Sequence, residues 1–208
     1  MRKSADFLEI VSRSVTLVAF ALAVVCVSVA PMLALAWANQ PFPGFLMDHT
    51  LVVTDQSGPG WTGSEAGVGF GQRVTRIGGV AIENERQYRQ LIRTMSPGTV
   101  VSITTRLREG GEKYFPQVEM VSFSKTDLFR LFWMPYLMGI AYLGIGTWVY
   151  RARGSARPGR ALAFFCFSAA AAMALYFDVF SSHAGTPLWA VAIAAIGGAL
   201  LGLAMRFP

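Results

Sequence analysis

The sequence predicts an α-helical membrane protein of four transmembrane helices, with a small β-rich α+β domain inserted after the first. Three observations predict it. The 208 residues are 53% hydrophobic and only 14% charged, a charge fraction well below the quarter usual in soluble domains. The charges are unevenly placed. Residues 38–127 hold nine Lys/Arg against nine Asp/Glu, whereas the excess behind the net +6 lies at Arg2, Lys3 and Arg13 and at Arg151, Arg153, Arg157 and Arg160. Apolar runs flank both basic clusters, so the charge reads as a membrane-orientation signal; a nucleic-acid binder would gather it on one folded face. The neutral segment, in contrast, alternates short β-forming stretches with turn residues.

The first run, VTLVAFALAVVCVSVAPMLALAW from Val15 to Trp37, carries no charge. As a helix it would extend roughly 34 Å, enough for a hydrocarbon core of about 30 Å. Ala36-Trp37-Ala38 matches the small-x-small pattern of a signal cleavage site. The run is longer than a signal's apolar region, so it reads as an uncleaved anchor. The second span, LFWMPYLMGIAYLGIGTWVY from Leu131 to Tyr150, has aromatic residues at both ends, as interfacial belts do. The division expected is 1–37 for the start and first span, 38–127 for the inserted domain and 128–150 for the second span. A basic loop follows at 151–160, a third span at 161–180, a turn at 181–187 and the fourth span at 188–208.

Short basic segments stay in the cytoplasm. That places the chain start and the 151–160 loop inside, and the inserted domain outside. The 181–187 turn, which has no Lys or Arg, also falls outside. The result is a multi-pass protein of a plasma (inner) membrane. The given chain stops at Met205-Arg206-Phe207-Pro208, directly at the expected membrane exit, and reads as the amino-terminal part of something longer. In the fourth span Ala190, Ala194, Gly198 and Gly202 recur every four residues, and such small faces let helix backbones approach closely. The expected use is packing among the four helices, with self-association as the other.

Cys26 and Cys166 each fall inside an apolar run and read as small buried hydrophobes. Together with His49 and His183 they form no zinc-type spacing, and no metal or other cofactor is expected.

Within the inserted domain, β-forming stretches at 45–53 and 100–105 bracket shorter ones at 74–77 and 118–123. Gly78-Gly79 reads as a tight turn. A helix is expected over 85–95. Asn84 caps it, and Gln87 completes a capping box. Tyr88, Leu91, Ile92 and Met95 then follow the i, i+3, i+4, i+7 rule for one buried face, and Ser96-Pro97-Gly98 ends it.

The stretch EAGVGFGQRVTRIGGVAIENERQYRQLIRTMSPGTVVSITTRLREGG resembles a bacterial PDZ domain. Ala66-Gly67-Val68 stands for that pattern's Ala-Gly-Leu, and Gly71-Gln72-Arg73-Val74 for its Gly-Asp-x-Ile strand. Ile77-Gly78-Gly79 stands for its Asn-Gly turn, followed by the helix and by Pro97-Gly98 leading into a strand. Gln72 replaces the usual Asp and Gly78 the usual Asn. The resemblance is close over 65–111 and looser over the rest of the inserted domain.

It implies binding of an extended peptide, often a free carboxyl terminus, as an added strand at a sheet edge. The loop holding the carboxylate would be Gly44, Phe45 and Leu46 leading into Met47, and the helix would form the far wall through Tyr88 and Leu91. The competing reading makes these residues ordinary core. The whole arrangement is similar to the amino-terminal sensing regions of bacterial multi-pass signalling proteins such as membrane histidine kinases. That implies extracytoplasmic sensing or peptide docking in signal transduction. The partners expected are the lipid bilayer, a carboxyl-terminal or extended peptide of another protein, and other transmembrane helices, but no nucleic acid. Two alternatives stand beside it: an accessory or scaffold subunit of a membrane complex, and a regulator presenting substrates to a separate protease.

No catalytic residue is expected among these residues. Site-2 proteases also carry a PDZ domain between spans, but they need a His-Glu-x-x-His helix, and neither His49 nor His183 has those neighbours. Asp178, Ser181, Ser182 and His183 cluster in sequence, but they read as a polar turn, with Asp178 at a solvated helix end, and no Gly-x-Ser-x-Gly elbow occurs. The Gly-rich GSEAGVGFG lacks the Lys-Ser/Thr of a nucleotide loop.

Overall fold

A computed structural model describes residues 2–205, with side chains from residue 9 onward. The side chains of Arg2 and Lys3, and residues 206–208, lie outside the described residues. The elements in order are α1 (Arg2–Ala38), β1 (Pro41–Phe42), α2 (Thr62–Glu65), β2 (Arg73–Ile77), β3 (Val80–Ala81), α3 (Glu85–Ile92), β4 (Val100–Arg106), β5 (Glu112–Glu119), β6 (Val121–Ser122) and α4 (Lys125–Leu128). A π-helical stretch (Phe129–Trp133) leads into α5 (Met134–Arg153), followed by α6 (Arg157–Ala174), a 3-10 turn (Phe177–Phe180) and α7 (Thr186–Ala204). They form two compact units. One comprises Met1–Met32, Arg130–Asp178 and Ala184–Pro208; the other comprises Leu33–Phe129 and Val179–His183.

Among the described residues, four helices are long and apolar enough to cross a membrane: Glu9–Ala38, Lys125–Arg153, Arg157–Phe180 and Thr186–Ala204. In the helical unit α6 is the most enclosed of these, with Cys166, Phe167 and the alanines at 169–172 buried. Glycines let α5 approach it. A Cβ at Gly146 would lie 2.8 Å from the Cys166 Cβ, and one at Gly139 would lie 3.0 Å from the Ala170 carbonyl oxygen. Small residues therefore mediate close helix contact here, but not those expected. Ala190, Ala194 and Gly198 of α7 are exposed and Gly202 is half-buried. No atom lies within 4 Å of a Cβ built at Gly198 or Gly202. The helix instead buries Ala192 and Ala199. The span is rich in small residues on more than one face, so spacing alone did not single out the packed one.

Two charged residues of this unit are buried, one of them against expectation. Arg160, one of the loop arginines read as an orientation signal, is 2% exposed. Its guanidinium donates to the carbonyls of Gly154 (3.0 Å) and Ser155 (2.9 Å) and to the Ser12 hydroxyl (3.3 Å). Asp178 is buried rather than solvated. Its Oδ2 accepts the Gly185 N–H at 2.6 Å, satisfying a backbone donor at the start of α7, where a negative charge suits the helix dipole.

The second unit is built on an antiparallel sheet of order β3-β2-β4-β5. Gly78 and Gly79, at φ 58° and 80°, form the two-residue connection between the Ile77–Val80 pair, the geometry that favours glycine in hairpins. α3 starts as its cap dictates: the Asn84 side chain accepts the Gln87 N–H at 3.1 Å, and Gln87 Oε1 accepts the Glu83 N–H at 2.8 Å. It ends three residues earlier than expected, where the Met95 N–H turns back to the Ile92 carbonyl. Ile92 is buried, and Tyr88, Leu91 and Met95 pack partly buried against a core that includes Phe45, Val74, Ile77, Ile103, Phe115 and Met120. A second cluster joins Trp37, Phe42, Trp61 and Phe123, with Phe42 stacked edge-on to Trp61 at 4.9 Å. The Trp61 indole N–H donates to the buried Asp127 carboxylate at 2.9 Å.

Residues 45–53 do not form the single β-stretch expected. They fold back on themselves, because the Asp48 carboxylate accepts the N–H groups of Thr50 and Val52 and Leu51 takes a left-handed φ of 65°. One bridge then pairs Met47 with Val53. The strand expected at 118–123 is instead β5, which begins at Glu112, followed by the short β6. Pro116 is accommodated because β5 is an edge strand, and the register with β4 shifts between Val101 and Ile103.

Candidate functional site

The site is a groove in the second unit, between the chain around Met47 and one face of α3. Leu46 and Asp48 pair with the other arm of their hairpin: the Leu46 carbonyl accepts the Thr54 N–H and the Asp48 N–H donates to the Val52 carbonyl, both at 2.9 Å. Because backbone groups alternate sides along an extended strand, those of Met47 face away from the hairpin. Across from them, α3 presents Glu85, Tyr88, Arg89 and Ile92.

The chain's own segment at 180–183 lies in this groove. The His183 side chain is 8% exposed. Its Nε2 is 3.0 Å from the Met47 carbonyl oxygen and its Nδ1 is 2.7 Å from Glu85 Oε1. Both ring nitrogens thus face oxygen atoms that can accept. Arg89 donates to Glu85 through Nε at 2.8 Å, and its Nη2 donates to the Ser182 carbonyl. His183 holds a left-handed φ of 53°, uncommon for a residue with a Cβ, so these contacts offset a backbone cost. The space left among these residues is about 20 Å³, room for about one water.

Electrostatics concentrate on Glu85. Burial alone would raise its carboxyl, but the hydrogen bonds from His183 and Arg89, with their charges, outweigh it and hold the group below the ordinary carboxylate range.

Of the residues named from sequence, Phe45, Leu46, Met47 and Tyr88 line the groove. Phe45 and Met47 also belong to the core, so the two readings of these residues overlap. Gly44 and Leu91 do not line the groove. Gly44 is buried against α2: at φ 75°, its Cβ would lie 2.4 Å from the Gly63 nitrogen and 2.5 Å from the Thr62 nitrogen, and its carbonyl accepts the Ser64 N–H. Leu91 packs against the core. Sequence reasoning missed Glu85, Arg89 and His183. The first two carried a local signal, a carboxylate and a guanidinium four apart on a helix. His183 carried none, because its partners are about a hundred residues away.

The same bonds account for the polar turn. Both His183 nitrogens lie against Glu85 and Met47, and Asp178 Oδ2 accepts the Gly185 N–H. Among the described residues no group of three His, Cys, Asp or Glu side chains could hold a metal ion. Compared with known proteins, the chain matches no family model and no curated protein.

Proposed function

We propose that the chain is a membrane-anchored PDZ-like module that docks peptide segments outside the cytoplasm, in sensing or protein docking. One observation carries this reading: the Met47 carbonyl, which points away from its hairpin toward α3, already accepts a hydrogen bond from the His183 side chain of a segment laid against that helix, on the edge where a groove of this type would pair a ligand strand. The order of elements from α2 through β2, the β2–β3 hairpin and α3 to β4 supports it, as does the sequence resemblance over the same residues. Four apolar helices supply the anchor.

The test is a screen of carboxyl-terminal and internal peptides against the full chain in lipid nanodiscs, run in parallel on His183→Ala, in which the turn's bonds are removed. Binders are expected, and Tyr88→Lys, which puts a charge on the half-buried groove wall, should abolish them. A folded chain that retains no peptide in either form would end the docking reading.

A further inference from the structure

We infer that the 180–183 segment is an internal ligand of the groove, and that the groove's external partner is a peptide carrying a histidine or other basic side chain that replaces it. This rests on the docking reading and gives it a chemistry. Three interactions made by the segment are of a kind a separate peptide could make. His183 Nε2 takes the Met47 carbonyl, a strand-edge acceptor, and its Nδ1 takes the Glu85 carboxylate. Arg89 takes a backbone carbonyl, that of Ser182. The groove thus offers one carboxylate, one main-chain acceptor and one guanidinium, a set that reads a cationic side chain with an adjacent carbonyl.

The position of Glu85 decides the ligand's charge. It stands at the first residue of α3, on the groove wall, and with the guanidinium of Arg89 already on it, it still takes a second donor from the occupant. A free carboxylate placed there would meet a like charge; an imidazolium or ammonium would take the place of His183. The groove is also full. With about 20 Å³ open beside the turn, no peptide enters unless the turn leaves, so binding is an exchange. A tethered occupant competes at roughly millimolar effective concentration, and an external ligand must exceed that or arrive when the turn is displaced.

The probe is a fluorescent, amino- and carboxyl-blocked peptide copying residues 178–185, Asp-Val-Phe-Ser-Ser-His-Ala-Gly, added to the full chain in nanodiscs. Fluorescence anisotropy should show binding to His183→Ala at least tenfold tighter than to the unaltered chain. Adding Glu85→Gln should remove it, replacing the peptide's His by Lys should retain part of it, and replacing it by Ala should remove it. Equal binding to both chains, or equal binding of the Ala peptide, overturns the proposal.

A second measurement does not depend on the peptide. With Cys26 and Cys166 replaced by Ala, a cysteine at Ser182 should label slowly with a thiol reagent, and at least tenfold faster once His183→Ala is added. Equal labelling rates overturn self-occupation. If library peptides still bind in that case, docking survives without an internal ligand. If the turn is released and no library peptide binds, the internal contact stands and docking falls.

Discussion

The Glu85 carboxylate takes Arg89 Nε and faces His183 Nδ1, which together hold it below its ordinary value, and the sign of its effect on stability follows from that. A carboxyl held below its ordinary value stabilises the folded state while ionised. The contribution is complete above the ordinary Glu value of about 4.3 and fades as pH falls through the lower value in the folded protein. Thermal unfolding of the chain and of Glu85→Gln, compared between pH 5 and 3, should show the two midpoints converging as the pH drops. A gap that stays constant, or widens, would show that the carboxylate is not held by Arg89 and His183 in solution.

The elements differ in how openly they were written. α3 was legible because every cue is local: the Asn84 cap, the Tyr88-Leu91-Ile92 spacing, and the Pro-Gly stop. The Gly78-Gly79 hairpin was legible for the same reason. β5 was not, because Pro116 argues against a strand unless the strand is known to lie at an edge, and edge position is a property of the assembled sheet. The turn at Asp48 hid inside an apolar run, where one carboxylate accepting two backbone donors outweighs the β-propensity around it. Of the groove, one wall was readable and its occupant was not. Gly44 was singled out for a carboxylate loop, and its freedom serves a close approach to α2 that the sequence did not announce. Gly44→Val should therefore destabilise the chain by roughly 3 kcal/mol, through both collision and backbone strain. Gly60→Ala, at a similar φ of 76° but with open space around its Cβ, should cost only about 1 kcal/mol. Denaturant titration of both variants separates the two effects, and equal losses would remove the collision from the account.

At the scale of the whole chain, the orientation proposed from the basic segments places residues 38–127 outside and the loop at 151–160 inside. Single cysteines at Ser57 and Ser155, both exposed positions, test it. In intact cells a membrane-impermeant thiol reagent should label the first and spare the second, and the opposite pattern would reverse the topology. The groove and its occupant also have an order in time. Residues 33–129 leave the ribosome first, and residues 179–183 follow only after roughly 50 more residues, an interval of roughly 3–10 s at usual elongation rates. Each newly made molecule thus passes through a period in which the Met47 edge and α3 have been synthesised and His183 has not.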